Sequence, residues 1–254
     1  MIDSHCHIND KAFINREDEY IKDANLAGVD TFLVVGCDLA MSKSAVEVAS
    51  KYKGCYAAIG IHPSDSKFAK EDDLDEIEKL ISNNKVIAIG EIGLDYYWDK
   101  EENIKKHQRE YFIKQIDLAN KYDLPISIHC RDAYEECLNI LKQHPVKRGG
   151  VMHCYGGSKE MMHEFLKLGF YIGIGGTVTF KNAVKIKEVA ATVPSDRYLL
   201  ETDAPYLAPT PHRGEENQSK YIPLVRDQIA LLRSIDPKQV EDETNKNFKT
   251  LFRI

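Results

Sequence analysis

Apolar, β-branched runs alternate with amphipathic stretches from one end of the chain to the other, which is the pattern of repeated β–α units and a parallel sheet. Eight runs predict strands, at Met1–His7, Thr31–Gly36, Cys55–His62, Val86–Gly93, Pro125–Cys130, Gly150–Cys154, Phe170–Gly175 and Arg197–Asp203. Helical spacing of apolar residues between them predicts helices over Glu17–Ala27, Met41–Tyr52, Asp73–Ser82, Glu101–Tyr122, Ala133–Gln143, Lys159–Leu168 and Ala183–Ala190. Two more follow the last strand, at Ser219–Arg233 and Pro237–Phe252. Eight strands with interposed helices fit a closed barrel better than an open sheet, because closure removes both edges. The expected fold is therefore α/β, a (β/α)8 TIM barrel with extra C-terminal helices, in a single domain covering residues 1–254. One segment breaks the pattern: Ala204–Gln218 carries Pro205, Pro209 and Pro211 without periodicity, and connections of that length in a compact domain are usually functional or mobile.

Composition narrows the setting. Hydrophobic residues make up 43% of the 254 and charged residues 29%, ordinary for a folded protein. No apolar run approaches the roughly 18 residues of a transmembrane helix, and the N-terminus lacks a signal-peptide pattern, so a cytoplasmic protein without membrane contact is expected. Six cysteines are scattered without a C-x-x-C pair, which predicts reduced thiols. The formal charge of −6 argues against a protein that coats nucleic acid, because such binding relies on Lys and Arg neutralising phosphates. It does not exclude a nuclease that meets phosphate locally with cations.

The candidate chemistry lies at strand ends. His5 and His7, two apart in a strand, project to one face and suit a shared metal. His62, Glu91, His129, His153 and Asp203 each fall at or near the C-terminal end of a predicted strand, the rim on which barrel enzymes build their sites. So many metal-competent groups on hydrophobic strands point to a metal centre, since burying them without partners is costly. Imidazoles and carboxylates without thiolates suit Zn²⁺, Mn²⁺, Fe²⁺ or Mg²⁺. Cys6, Cys130 and Cys154 each adjoin a candidate histidine, so strand alternation turns their sulfurs toward the helices as packing groups. His62 stands before Pro63, where it binds substrate, ligates metal or caps the turn, with substrate contact favoured. Arg131 either forks onto a phosphate or pairs with Asp132 or Glu135. Tyr96, Tyr97 and Trp98 are available either to stack on a base or to pack a lid, Glu201 shares the Asp203 face, and Tyr155 completes the candidate substrate contacts.

These residues resemble the TatD family of metal-dependent deoxyribonucleases, through DSHCH at 3–7, GIHP at 60–63, GEIGLDYY at 90–97, PISIHCRDA at 125–133, HCYGG at 153–157, TVTFKNA at 177–183 and ETDAPYL at 201–207. The resemblance implies two divalent ions, one held by His5, His7 and Asp203 and one by His129 and His153, with Glu91 bridging. It also implies a nuclease, acting as a 3′–5′ exonuclease on single-stranded DNA with a metal-activated water, with Asp203 and Glu91 as catalytic groups and the protein a monomer. The same site would serve an amide, ester or aminoacyl-tRNA hydrolase. The chain departs from the family after ETDAPYL, where Arg213-Gly214 is followed by Glu215 instead of a lysine, which weakens the case for phosphate contacts from this loop.

Overall fold

The eight strands are all parallel and hydrogen-bonded in chain order, the only arrangement that short β–α–β crossovers of one hand can build around an axis. The computed structural model describes residues 1–254. The elements run β1 (Ile2–Cys6), α1 (Glu17–Leu26), β2 (Thr31–Val35), α2 (Leu39–Lys51), β3 (Cys55–Ile59), α3 (Pro63–Ser66), α4 (Asp73–Leu80) and β4 (Val86–Asp95). They continue with α5 (Glu102–Lys121), β5 (Ile126–Arg131), α6 (Tyr134–Gln143), β6 (Gly150–Met152), α7 (Lys159–Lys167) and β7 (Phe170–Ile174). The chain ends through α8 (Val184–Thr192), β8 (Tyr198–Leu200), α9 (Ile222–Arg233) and α10 (Pro237–Phe252). The ring closes where β1 meets the segment after β8: Cys6 bridges Ala204, His7 N donates to Ala204 O at 2.9 Å, and Asp203 N donates to His5 O at 2.9 Å.

Strand alternation sorts the apolar side chains into two layers. One large cluster packs outward against the helices and includes Phe32, Val34, Ile89, Ile92 and Ile128. A smaller one fills the barrel interior with Ile2, Leu33, Ala58, Ala88, Val151 and Leu199, and is completed by Phe248, Leu251 and Phe252 of α10. The last turns of α10 therefore plug the N-terminal end of the barrel and leave the C-terminal end as its mouth.

All nine predicted helices form, and the short α3 is added. It starts at Pro63, whose fixed φ suits the first helical position, with the His62 side chain accepting from Ser64 N. Several strands stop earlier than their apolar runs. Regular pairing ends at Ile59, Met152 and Leu200, so His62, His153 and Asp203 stand on the turns beyond β3, β6 and β8. The loop from Ala204 to Gln218 is anchored rather than loose. Buried Asn217 donates to Thr202 O and Tyr206 O, both at 2.7 Å, and Thr210 N donates to Thr179 Oγ1 at 2.8 Å.

Candidate metal centre

The six residues expected as ligands converge at the mouth, organised around one carboxylate. Glu91 Oε2 lies 3.4 Å from His5 Nε2 and 3.7 Å from His7 Nε2. Glu91 Oε1 faces a different group, 2.9 Å from His129 Nδ1 and 3.6 Å from His153 Nε2. Asp203 Oδ1 completes the first side, 3.5 Å from His7 Nε2 and 3.9 Å from His5 Nε2, and also reaches His153 Nε2 at 3.6 Å. His5 and His153 stack with ring centroids 3.4 Å apart.

The backs of the rings are held by the barrel. His7 Nδ1 meets Val35 O at 3.1 Å, which keeps the proton on Nδ1 and turns the Nε2 lone pair to the centre. His5 Nδ1 meets Ser127 Oγ at 3.3 Å. Glu201, fully buried, accepts from Cys154 N at 2.5 Å, and the same Oε1 sits 3.2 Å from His153 Nδ1, out of line for a hydrogen bond. His129 Nε2 contacts Asp95 Oδ2 at 2.9 Å, so this ring lies between two carboxylates.

Two observations fit a cation to this cluster. His5 Nε2 is buried without a hydrogen-bond partner, yet faces two carboxylate oxygens. Buried polar atoms are rarely left so, and a cation among these groups would supply the partner. The electrostatics agree. Against the penalty of burial, the imidazoles around them hold the Glu91 and Asp203 carboxyls below their usual range, so both are ionised at neutral pH. Burial likewise opposes charge on His129 and His153, but Asp95 and Glu91 push the first up to about 9, and Glu201, Asp203 and Glu91 push the second up to about 9. The centre thus concentrates negative charge that protons or a cation must balance.

The candidate substrate contacts fare differently. His62 Nδ1 accepts from Ser64 N at 3.1 Å, and burial with His129 nearby lowers its pKa to about 3. The ring is therefore neutral with its proton on Nε2, a donor 3.6 Å from Glu91 Oε1. Arg131 pairs with neither Asp132 nor Glu135; its guanidinium lies 3.8 Å above the Tyr97 ring. Tyr96 is tied down through its hydroxyl to Glu136 at 2.7 Å, whereas Tyr97 and Trp98 are exposed. Tyr155 does not reach the mouth. It is 1% exposed, packs near Phe165, and donates its hydroxyl to Ser158 O at 2.8 Å, because it points into the layer between β6 and its helices.

Cys6 and Cys130 are buried as expected. Cys154 is only half-buried and groups with His153 and Glu201, because β6 has already ended and a left-handed φ of 44° breaks the alternation. Three contributors were missed in the sequence. Ser127 and Asp95 lie two and four strand residues from His129 and Glu91, the spacing that shares a face, and this signal was available. Cys37 follows β2, with Sγ 3.7 Å from Glu91 Oε2, and burial pushes its thiol up to about 12.

Comparison with known proteins sets this geometry in context. The family model described as TatD related DNase matches residues 2–253. The metal-dependent hydrolase YabD of Bacillus subtilis (strain 168) is 44% identical, covering 100% of this chain and 99% of its own. A protein of Klebsiella pneumoniae (strain 342) named 3′-5′ ssDNA/RNA exonuclease TatD is 34% identical, over 100% of this chain and 98% of its own. Among solved structures, the TatD homologue YjjV of Escherichia coli K12 superposes with a TM-score of 0.95 at 31% identity, covering 100% of this chain and 98% of that one.

Proposed function

The chain belongs to the TatD family of metal-dependent hydrolases and DNases, and from that premise we propose that it hydrolyses phosphodiester bonds of single-stranded DNA as a 3′–5′ exonuclease. The observation that carries the reading is the division of Glu91, with one oxygen toward His5 and His7 and the other toward His129 and His153. Two divalent ions suit that division: His5, His7 and Asp203 would hold one, His129 and His153 the other, and Glu91 both. Bound there, they supply positive charge for the phosphoryl oxygens and ease deprotonation of water. The substrate is supported by the Klebsiella relative, named as an exonuclease on single-stranded DNA and RNA.

The chain's own groups have separable tasks. Asp203 is ionised, partly exposed at the mouth and within 4 Å of three imidazoles, which supports a role for it in accepting a proton from the attacking water. His62 presents Nε2–H and is suited to donate to a phosphate oxygen rather than to ligate. Asp95 would orient His129 through its hydrogen bond, and Glu201 would hold His153 by its charge, 3.2 Å from Nδ1.

The test is a panel of single-stranded DNA, RNA, amide and ester substrates with Mg²⁺, Mn²⁺ or Zn²⁺. We expect nucleotide release from single strands that chelation abolishes, and at least about a hundredfold loss in Asp203→Asn, in the range of general-base contributions. His62→Ala should raise KM for DNA with metal content unchanged. Intact DNA beside a cleaved amide or ester would overturn the nuclease assignment.

A further inference from the structure

The chain has nine arginines, and in seven the guanidinium is committed. Six are ion-paired with carboxylates, and Arg233 donates to the carbonyls of Ala190 and Val193. Arg131 and Arg213 alone have neither kind of partner, and both are exposed at the C-terminal mouth, the first at the end of β5 and the second on the loop after β8. Each lies over an aromatic ring: Arg131 is 3.8 Å from the centroid of Tyr97, and Arg213 is 4.4 Å from that of Phe180. A guanidinium over a ring is held by its face, while its N–H edge stays free for an anion. In a protein of formal charge −6, whose other arginines are already bonded within the fold, the two exceptions stand at the end of the barrel that holds the candidate metal centre.

Their positions in the barrel give the exceptions meaning. Arg131 ends β5, in register with Asp95, whose carboxylate holds His129. Phe180 follows β7, and Arg213 lies on the loop after β8, pinned beside the β7 turn by the bond from Thr210 N to Thr179 Oγ1. The β4–β5 and β7–β8 sides are three strands apart around the ring, so the two arginines stand on separate sides of the mouth. The lysine expected after Gly214 is absent, yet Glu215 next to it turns to His212 at 2.9 Å and leaves Arg213 unpaired.

We propose that Arg131 and Arg213 are two backbone clamps, each forking onto a phosphate 5′ to the bond to be cut, in a single strand whose 3′ end lies in the mouth. This rests on the nuclease reading above and adds to it that the substrate is an oligonucleotide engaged at several phosphates. Exposed Trp98, whose ring meets Tyr97 edge to face at 4.8 Å, offers a surface for a base next to the Arg131 clamp.

The experiment uses the full-length, metal-loaded protein with Arg131→Gln and Arg213→Gln, assayed on a long oligothymidylate, on a thymidine dinucleotide and on bis(p-nitrophenyl) phosphate. Each variant is expected to raise KM for the long strand about tenfold, the scale of a lost charge-assisted fork. Each should also flatten the slope of log kcat/KM against log salt by about 0.7, the share of one phosphate contact on a single strand. Hydrolysis of the small diester and the melting temperature should stay unchanged, as should hydrolysis of the dinucleotide, whose one phosphate is the one attacked. An unchanged KM and salt slope on the long strand would overturn the clamps alone. Equal losses on the small diester would also overturn them, since the arginines would then only support the loops. No cleavage of any oligonucleotide by the unaltered protein would end the nuclease reading and the clamps together.

Discussion

Glu91, His129 and His153 show how single residues tune one another when buried in common. Each imidazole loses hydration that favours its charged form, yet neighbouring carboxylates push both up to about 9. A cation needs them neutral, so metal and protons compete for the same nitrogens. The sign follows. Below about pH 9 the metal-free protein holds these protons and must release them on binding; apparent metal affinity therefore rises with pH toward 9. We expect Zn²⁺ titrated into metal-free protein at pH 7 to release protons, seen by calorimetry as a heat that changes with the ionisation enthalpy of the buffer. A heat independent of buffer would contradict this charge balance.

Elements contribute by where they end. Strands β3, β6 and β8 stop short of their apolar runs, and the next few residues carry His62, His153 and Asp203 into the mouth. The Asp203 backbone has a left-handed φ of 59°, which aspartate tolerates better than branched residues. Behind them β7 must leave space: a Cβ on Gly173 would overlap the Glu201 carboxylate. We expect Gly173→Ala to displace Glu201 and, through His153, to weaken metal binding about 10–100-fold, the usual cost of losing an orienting partner. Competition with a chromogenic chelator measures it, and unaltered affinity would show that Glu201 does not position the ligand. The order and kind of nearly every element were legible in the hydrophobic pattern, because a buried parallel strand and an amphipathic helix have different periods. Strand endings were not, because an apolar run continues into a buried turn without any change of composition, as at Cys154.

Across the whole molecule, the barrel separates stability from chemistry. Its N-terminal end is closed by Phe248, Leu251 and Phe252 of α10, while the candidate centre occupies the other end. Phe248 is fully buried and packs on Phe252 with ring centroids 4.4 Å apart. We expect Phe248→Ala to cost about 3–5 kcal/mol of unfolding free energy, as large-to-small changes in cores do. Denaturant titration measures the loss, and activity per folded molecule should be unchanged. A fall in kcat equal to the fall in stability would show that the plug supports the mouth directly.

Periodicity determined the barrel, and the placement of polar residues at strand ends gave seven candidate groups at its mouth, from which the family resemblance drew six as ligands; all of this is written in spacing and motifs along the chain. The tertiary structure alone decided how those groups share Glu91, which nitrogen of His62 carries the proton, and that Tyr155 is buried while Arg131 and Arg213 are left free. Those outcomes depend on which side chains arrive from distant strands to satisfy or abandon each polar atom, and no local pattern encodes them.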